Sequence, residues 1–595
     1  MNEENEYDGR ISFLMFMSVL IVTILILRVG YLQLYDGEYY SGLADGNRIR
    51  IIPTIAPRGT FYDRNGAVLV TNRPGFAVSL LQLDKPVDEK VVAKLSELLQ
   101  ISVEDIHEKI KNHTGISPVT LKTDVTPDIV TILEEKKDEY PGVVIDVQPF
   151  RSYILNQEAA HTFGYVSEIS DAELETKKDQ GYKQGDIVGK FGLERIYDKE
   201  IRGVNGGEQV EVDVMGKPIQ ILGKKEPIPG ADLVLTIDRN IQVAAEKAVD
   251  EILTQVGAHA AAAVVLNPQN GEVLAIVSRP AFDPNLFAGG ISTKNWNMIN
   301  DNPYHPMDNK AITGEYPPGS TFKIVTGVAA LDAEKVTPEE QIFDSGVHWL
   351  VPKSNASGEA LGWINFREAL AHSDNVYFYE MGIRLGIDLL EQYARRFGLG
   401  ETSGIDLPYE AEGLVANRRY KEKYYGEEWY VSETMDAAIG QGFTLVTPLQ
   451  AAMVMGEIAA NGNRYKPHLV KQIVTQDGNV VKDFQPELLS NLNVQPWIIE
   501  LVQSSLHDVT KYGTAASNFR GFTVDIAGKT GTAENPHGRD HGWFVAYGPF
   551  DNPTVSVAVV VEQGGFGAVS AVPIGRKILE AAFGIQQQPE TQPQN

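Results

Sequence analysis

Ser320 and Lys323 are the first residues whose types and spacing suit nucleophilic catalysis. They lie in the segment PPGSTFK, residues 317–323, where proline and glycine before an apolar-periodic run predict the start of a helix. Residues three apart share a helix face, so the Lys323 amine can approach the Ser320 hydroxyl. A buried lysine with a lowered pKa is a competent base for serine. Alone the spacing is common, and a helix cap followed by a surface lysine is the simpler interpretation.

A second polar group follows: Ser373, Asp374 and Asn375. It is set between two apolar stretches, 364–371 and 376–381. The Ser373 hydroxyl and the Asn375 amide, two residues apart in a short polar break, can both face a cleft. Taken alone, the triplet is explained more simply as a helix cap.

The third group combines a lysine, two hydroxyls and a glycine: Lys529, Thr530, Gly531 and Thr532. We predict that it follows a strand over Phe522–Ala527 and precedes another that ends at Tyr547. A lysine and two hydroxyls on a strand suit a carboxylate ligand, and Gly531 lets a ligand approach the backbone. A similar run, KYGT at 511–514, follows a helical stretch and lacks the first threonine, so we reject it.

The order S-x-x-K, S-x-N, K-T-G is far more specific than any of its parts. Its separations suit one large domain built around an acyl-serine site. Chance occurrence of all three in this order and in these structural contexts is small. The order therefore raises Ser320 from a possible helix cap to the predicted nucleophile.

The elements expected around these groups form an antiparallel sheet assembled from both ends of one domain. Ala261–Leu266, the turn NPQNG at 267–271 and Glu272–Ser278 predict a β-hairpin. Three strand patterns follow near the other end: Phe522–Ala527, Gly542–Tyr547 and Thr554–Val561. The stretch between, roughly 310–510, is mostly helical in pattern. Strands at both ends with helices between them predict an α+β domain.

Composition limits the possible classes of protein. A chain of 595 residues is expected to form two or more domains. Its formal net charge of −27 argues against nucleic-acid binding, which needs a basic surface. The chain has no cysteine, which excludes disulfides and thiolate zinc sites.

One segment is apolar enough to cross a membrane. Ile11–Leu27 is uncharged, and residues up to 34 extend it, so we predict an uncleaved transmembrane anchor over 11–34. The preceding residues are mainly acidic, whereas Arg28, Arg48 and Arg50 follow the helix. This charge pattern does not favour an external C-terminus, so the compartment has to be inferred from the chemistry.

In its three polar groups the chain resembles the class B penicillin-binding proteins, which are monofunctional D,D-transpeptidases of the penicillin-binding protein 2 and FtsI-like type. Beyond these groups, RGTFYDRNG at 58–66 resembles that family's first pedestal motif. RSYILNQEAAHTFGYV at 151–166 and the segment 189–217 resemble the later ones. IGQG at 439–442 with TPLQ at 447–450 fits the same family. The resemblance covers the chain from the anchor to about residue 583.

The resemblance implies an α+β multidomain architecture. It comprises one N-terminal transmembrane helix, a β-rich pedestal of the dimerisation type, and a penicillin-recognising transpeptidase domain with a five-stranded antiparallel sheet flanked by helices. The expected parts are a cytoplasmic N-terminus at 1–10, the anchor at 11–34, the pedestal at 35–227, the transpeptidase domain at 228–585 and a disordered tail at 586–595. Both large domains are expected outside the cell membrane.

The resemblance also implies a role for each residue. Ser320 attacks the carbonyl between the two terminal D-alanines of a peptidoglycan stem peptide, and an amine of a neighbouring stem resolves the acyl-enzyme. Lys323 is the base, Ser373 and Lys529 relay the proton, and Asn375 holds the substrate and Lys323. Substrate binding is implied for Thr530, Gly531 and Thr532, which bind the terminal carboxylate. The backbone N–H groups of Ser320 and Thr532 are implied to form the oxyanion hole.

The expected ligands are peptidoglycan stem peptides and β-lactam antibiotics, without cofactor or metal. A glycosyltransferase domain is not expected in the chain, so glycan polymerisation is expected from a partner, by analogy a SEDS-family glycosyltransferase. Three alternatives stay open: a β-lactamase or β-lactam sensor, a D,D-carboxypeptidase with water as acceptor, and a scaffold with dispensable chemistry. The segment after Lys529 contains four side chains of the types that bind metals: Glu534, His537, Asp540 and His541. We nevertheless expect a solvated loop there and no metal site.

Overall fold

The computed structural model describes residues 3–35, 49–81, 88–112, 118–212 and 218–585. The chain forms two compact units. The first comprises Met1–Ala56, Pro74–Pro149 and Val204–Ile228, and the second comprises Pro57–Arg73, Phe150–Gly203 and Pro229–Asn595. The predicted pedestal, 35–227, thus contributes residues to both units, and its boundary stays a prediction. The predicted tail at 586–595 lies outside the described residues.

The α-helices of the described ranges are α1 (Glu3–Gly30), α2 (Glu89–Leu99), α3 (Val103–Asn112), α4 (Pro127–Glu135), α5 (Ala160–Phe163), α6 (Asp171–Lys177), α7 (Gly192–Ile196), α8 (Asp198–Ile201), α9 (Arg239–Val256), α10 (Thr293–Asn300), α11 (Lys310–Thr313), α12 (Lys323–Asp332), α13 (Phe366–His372), α14 (Asn375–Arg396), α15 (Arg418–Tyr425), α16 (Val431–Ala438), α17 (Pro448–Ala459), α18 (Pro496–Lys511), α19 (Ala516–Phe519) and α20 (Gly567–Ala582).

The strands of the same ranges are β1 (Ile49–Thr54), β2 (Phe61–Tyr62), β3 (Val68–Leu80), β4 (Val119–Val125), β5 (Val143–Tyr153), β6 (Val166–Glu168), β7 (Ile187–Gly189), β8 (Gly206–Val212), β9 (Pro218–Lys225), β10 (Asp232–Leu235), β11 (Ala261–Leu266), β12 (Val273–Arg279), β13 (Ile342–Asp344), β14 (Gly362–Ile364), β15 (Asn463–Tyr465), β16 (Val470–Val474), β17 (Val480–Asp483), β18 (Leu488–Asn491), β19 (Ala527–Ala533), β20 (His541–Gly548) and β21 (Val555–Val561).

The first unit contains the apolar N-terminal helix. Residues Ile11–Tyr35 are long and apolar enough to cross a membrane, and the side chains from Ile11 to Val29 are exposed. Elsewhere in this unit β1, β8 and β9 form an antiparallel sheet. The helices α2 and α3 cover β4, and Val92, Leu95 and Leu121 are buried in the core between them.

The second unit is organised around a five-stranded antiparallel sheet of order β12-β11-β21-β20-β19. This confirms the predicted sheet built from two distant parts of the chain, and β11 and β12 are the predicted hairpin. The sheet is buried on both faces, as continuous apolar strands require. Val557 and Val559 of β21 face a core that includes α9 and α20, whereas Ala558 and Val560 face the core that includes α12 and α17.

The strand predicted over Phe522–Ala527 is wrong in its position. The observed β19 begins at Ala527 and contains the K-T-G segment itself, pairing Lys529 with Val545. The partner strand β20 ends at Gly548 and is followed by Pro549, which has no N–H to extend the ladder. Beyond it, Phe550 N still donates to the carbonyl of Asp525 at 2.8 Å, but no strand of the described residues pairs with residues 522–526.

Three segments that resemble pedestal motifs meet in a buried ion cluster of the second unit. Arg58 donates hydrogen bonds to Glu194 (2.7 Å) and Asp198 (2.8 Å), and Arg151 donates to the other oxygen of Glu194. All four side chains are buried. Removing either arginine would leave the buried Glu194 with one of its two cationic partners, which is destabilising because a buried carboxylate depends on its ion pairs. The motifs are therefore explained by one shared structural requirement.

Candidate active site

The hydroxyl of Ser373 lies between two buried lysines. Lys529 Nζ donates to Ser373 Oγ at 2.7 Å, and Lys323 Nζ lies 3.4 Å from the same oxygen. Lys323 also donates to the carbonyl of Ser373 at 2.7 Å and to Asn375 Oδ1 at 2.6 Å. The three sequence groups, which are far apart in the chain, thus converge through direct hydrogen bonds among their side chains.

Ser320 lies in a tight turn directly before the helix that carries Lys323. Gly319–Phe322 form a 3-10 turn, which we call the nucleophile turn, and α12 begins at Lys323. The predicted helix start is therefore confirmed with a tighter first turn. Ser320 is half-buried, whereas Thr321 and Phe322 are buried. The N-terminus of α12 favours negative charge on the hydroxyl oxygen of Ser320.

The nucleophile turn packs closely against the third group. Gly319 has φ +53, and a Cβ there would lie 2.6 Å from the carbonyl oxygen and 3.3 Å from the nitrogen of Thr532. On the other side, a Cβ at Gly440 would lie 2.3 Å from the Gly319 oxygen. Glycine is therefore required at both positions for steric reasons. The same approach places Gly319, the residue before Ser320, against the backbone of Thr532, and the oxyanion hole at Ser320 and Thr532 stays a prediction.

A tryptophan fixes the chain before the nucleophile. Trp543 of β20 is fully buried, and its Nε1 donates to the carbonyl of Pro317 at 2.9 Å. A Cβ at Gly531 would lie 2.9 Å from Cβ of Trp543 and 3.1 Å from the carbonyl oxygen of Pro318. Gly531 is thus needed for the sheet and the nucleophile turn to touch, in addition to the predicted access for a ligand.

The second group occupies the junction of two helices. Ser373 ends α13 in the left-handed conformation, with φ 59. Asp374 caps α14 by accepting a hydrogen bond from Tyr377 N at 2.6 Å. The helix cap that the triplet suggests is therefore real, and it serves the site, because the same sharp turn aims Ser373 and Asn375 at Lys323.

Burial destabilises the charged form of both lysines and so lowers their pKa values. Desolvation lowers the pKa of Lys323 to about 7, against a smaller opposing effect of Asp374. Desolvation and then the charge of Lys323 lower the pKa of Lys529 well below its usual range. Two cations this close and this dry repel each other. One of the two amines can therefore be neutral near physiological pH, and a neutral amine can accept a proton.

Thr514 is a contributor that the sequence did not indicate. Its hydroxyl shares a 2.7 Å hydrogen bond with the hydroxyl of Thr530, and its backbone N–H donates to the carbonyl of Ala371 at 3.3 Å. The run 511–514 is thus distinct from the motif, since α18 ends at Lys511, but it supports the motif. Gln441 adds a second support, because its Nε2 donates to the carbonyl of Thr532 at 3.3 Å.

The loop after Lys529 has ordinary hydrogen bonds. His541 Nδ1 accepts from the N–H of Gln563 at 3.0 Å, and Asn535 Oδ1 accepts from the N–H of His537 at 3.0 Å. Within the described ranges, no group of three or more His, Asp or Glu side chains is arranged to hold a metal ion. The solvated loop stays a prediction.

Two family models and a curated relative match most of the chain. The family model of the penicillin binding protein transpeptidase domain matches residues 261–580, and that of the penicillin-binding protein dimerisation domain matches residues 53–235. The peptidoglycan D,D-transpeptidase MrdA of Acinetobacter baumannii is 33% identical, over 96% of this chain and 87% of that protein.

Two solved structures are similar along their whole length. The penicillin-binding protein PBP2 of Helicobacter pylori, solved in complex with MreC, is 27% identical with a TM-score of 0.77, covering 90% of this chain and 100% of that one. A chain from a structure of a peptidoglycan synthase complex that coordinates polymerization and crosslinking is 33% identical with a TM-score of 0.74, covering 98% and 100%.

Proposed function

The chain belongs to the penicillin-binding protein transpeptidases, and we propose that it cross-links peptidoglycan through an acyl-enzyme on Ser320. The observation that carries the assignment of the site is the position of Ser373 Oγ, held by Lys529 and facing Lys323 beside the nucleophile turn. The substrate is a stem peptide that ends in D-alanyl-D-alanine. β-Lactams imitate that end and acylate the same oxygen.

Acylation begins with proton transfer from Ser320. Lys323 in its neutral form takes the proton as Ser320 Oγ attacks the penultimate D-alanine carbonyl. Burial of Lys323, which lowers its pKa to about 7, supports this role, because a base works best when its pKa lies near the operating pH. The proton passes through Ser373 and Lys529 to the leaving amine, and free D-alanine departs. The hydrogen bond from Lys529 to Ser373 supports this relay.

Substrate binding is assigned to the third group and to Asn375. Thr530 and Thr532 bind the terminal carboxylate, and Gly531 admits it to the strand. The N–H groups of Ser320 and Thr532 bind the oxyanion; removing one such donor typically slows a reaction about 10²–10³-fold. Asn375 holds the substrate backbone and, through Oδ1, the amine of Lys323.

The second half of the reaction uses an amine as acceptor. The amine of a neighbouring stem peptide attacks the acyl carbonyl on Ser320 and gives up a proton to neutral Lys323. Lys323 passes this proton to Ser320 Oγ, which leaves as a hydroxyl while the new amide forms. The cross-link is thus an amide exchanged for an amide, which needs no cofactor.

We place the chemistry outside the cell membrane, with residues 1–10 in the cytoplasm and α1 as the single anchor. The apolar segment Ile11–Tyr35 supports the anchor, and the substrate supports the orientation, since the peptidoglycan that is cross-linked lies outside the membrane. The glycan strands are made by a partner, for which we propose a SEDS-family glycosyltransferase. The similarity to a chain of a complex that couples polymerization to crosslinking supports this partner.

The test is cross-linking of newly made glycan by the full-length chain in detergent or liposomes, together with a polymerase. The product is digested to disaccharide peptides and examined by mass spectrometry. Wild-type protein should give cross-linked dimers, and Ser320→Ala should give none while keeping its melting temperature. If the wild type only trims terminal D-alanine, the activity is that of a carboxypeptidase. Equal cross-linking by Ser320→Ala would contradict the assignment of the nucleophile.

A further inference from the structure

A buried asparagine outside all three sequence groups connects the Ser373 turn to the rest of the fold. Asn355 lies in the loop between β13 and β14, and its side chain is buried. Its backbone is held on both sides, donating to Gly346 O at 3.2 Å and accepting from Gly358 N at 3.0 Å. The side chain therefore projects from a fixed point of the loop.

The side-chain oxygen of Asn355 completes the start of α14. Asn355 Oδ1 accepts hydrogen bonds from Asn375 N at 2.7 Å and from Val376 N at 3.2 Å. The first N–H groups of a helix have no partner within the helix and must be satisfied from outside. Asp374 satisfies Tyr377 N, and Asn355 satisfies the two N–H groups before it. The cap of this helix is thus divided between a local residue and a distant one.

The side-chain nitrogen of Asn355 donates hydrogen bonds to two acidic side chains. Nδ2 donates to Asp344 Oδ2 at 2.9 Å, to Asp374 Oδ2 at 3.1 Å and to the carbonyl of Glu359 at 2.9 Å. Asp344 and Asp374 are both nearly inaccessible to solvent. Two buried carboxyl groups that share one hydrogen-bond donor repel each other when both are charged, and the donor offsets part of that repulsion. Asn355 supplies that donor.

The loop also touches the catalytic amide directly. Asn375 Nδ2 donates to the carbonyl of Ser354 at 3.2 Å, while Asn375 Oδ1 accepts from Lys323 Nζ at 2.6 Å. The orientation of the Asn375 amide is therefore set on one side by the loop and on the other by the base. A shift of Asn355 would move Asn375, and with it the turn that carries Ser373.

We propose that Asn355 is a positioning residue for transpeptidation, holding the Ser373–Asn375 turn in the geometry that places Ser373 Oγ between Lys323 and Lys529. This inference rests on the proposed function of the same site. Asn355 acts through its hydrogen bonds to Asp374 and Asn375 and is assigned no contact with substrate. Its loss should therefore slow the chemical step more than it weakens binding.

The test is Asn355→Ala in the full-length protein, assayed by the rate of covalent capture of a fluorescent penicillin. The rate constant at saturating penicillin should fall about 10- to 100-fold, the range expected when a catalytic group is displaced by about 1 Å. The half-saturating concentration should change less than twofold. The fraction of protein that is finally labelled should stay the same, because the variant is folded and slow.

Asn285→Ala is the matched control. Asn285 also bridges two chain segments, accepting from Tyr153 N at 2.9 Å and donating to Tyr153 O at 2.9 Å, but it lies outside the catalytic hydrogen-bond network. Its loss should lower the melting temperature and leave the acylation rate constant within twofold of the wild type. Such a result separates a positioning effect from general loss of stability.

A second variant reaches the same contact from the other side. Asp344→Asn keeps the shape of the acid but puts an amide where Asp344 accepts from Gly346 N, Leu361 N and Asn355, and it should slow acylation threefold or more. If Asn355→Ala does not fold, the acylation rate of Asp344→Asn tests the positioning role of Asn355 in its place. Acylation within twofold of the wild type, or a loss in the labelled fraction without a loss in rate, overturns the inference. Failure of the wild type to label at all would instead overturn the proposed function.

Discussion

Replacing Lys323 by methionine removes the proposed base while keeping most of its volume. The Lys323 side chain is fully buried, and desolvation lowers its pKa to about 7, so about half of the molecules carry a neutral amine at pH 7. General-base catalysis by a positioned side chain contributes about 10²–10⁴-fold. Acylation by penicillin should therefore slow by that factor in Lys323→Met.

The structure also sets the expected cost in stability. Methionine leaves Ser373 O and Asn375 Oδ1 without the amine that now donates to them, at about 1–3 kcal/mol for each unsatisfied group. Against this, the variant no longer buries a group that resists desolvation, a penalty of several kcal/mol for an ion. The two effects oppose, so the free energy of unfolding should change by less than about 2 kcal/mol.

The pH profile gives a second readout of the same substitution. In the wild type, acylation should rise as pH increases towards about 7, because Lys323 must lose its proton to act as base. Burial also raises the pKa of Asp374, whose charge acts on Lys323, to about 6, so both groups shape the rise. Because the folded pKa of Lys323 is depressed, its contribution to stability is present above about pH 10.5 and is lost as pH falls to about 7. Lys323→Met should lack both slopes.

The assay is quenched-flow labelling with a fluorescent penicillin from pH 5 to 9, with thermal melts at each pH. Lys310→Met is the matched control, because Lys310 is also buried and its Nζ donates to the carbonyls of Tyr304 (2.7 Å) and His305 (3.1 Å). Acylation by folded Lys323→Met within tenfold of the wild type, or an unchanged pH profile, would refute the assignment of the base.

Three further substitutions, and one control, test the packing around the site and the core. Gly440→Ala should slow penicillin labelling about 10²-fold, since its Cβ would lie 2.3 Å from a carbonyl oxygen of the nucleophile turn. Gly66→Ala is the control, because Gly66 also has a positive φ (+88) but no atom would lie within 4 Å of its Cβ. It should lower the free energy of unfolding by about 1–2 kcal/mol and leave labelling unchanged. Trp543→Phe removes the donor to the Pro317 carbonyl and should slow labelling about tenfold. An unchanged rate would show that the nucleophile turn keeps its geometry without this hydrogen bond. Burial raises the pKa of Glu457 to about 8, so the stability of the wild type should fall as pH rises from about 4.5 to 8. Glu457→Gln removes the ionisable group and should raise the melting temperature at pH 8. A variant whose stability falls with pH as the wild type's does would contradict this.

The three polar groups can be found in the sequence because each is carried by a short local pattern. Their order, S-x-x-K, S-x-N and K-T-G, is visible without tertiary structure, whereas their convergence at Ser373 depends on contacts between distant parts of the chain. The β-hairpin at 261–279 is equally accessible, since its turn residues and its two apolar runs lie within one short segment. These features depend on neighbours in the sequence.

The predicted position of the strand that carries Lys529 is wrong for a different reason. Alternation over Phe522–Ala527 is typical of a strand, but a strand exists only where a partner offers backbone groups. Strand β20 offers them opposite Ala527 to Ala533 and stops before Pro549. The length of the partner, which lies elsewhere in the chain, therefore decides where the strand begins.

The supporting residues cannot be predicted, because each acts across a long separation in the chain. Thr514 reaches Thr530, and Asn355 reaches Asp374 and Asn375, through single side chains with no motif around them. A lone asparagine or threonine in a loop is ordinary in any sequence. Its role becomes visible only when its burial and its hydrogen-bond partners are known.

The most direct test of the central claim is to locate the penicillin adduct. The purified full-length protein is incubated with a penicillin, digested, and mapped by tandem mass spectrometry, with the rate of release of the adduct followed over hours. A single stable acyl group on Ser320, absent in Ser320→Ala, is the predicted result. An adduct on another residue would contradict the assignment of the nucleophile, and release within seconds would show a β-lactamase in place of a transpeptidase.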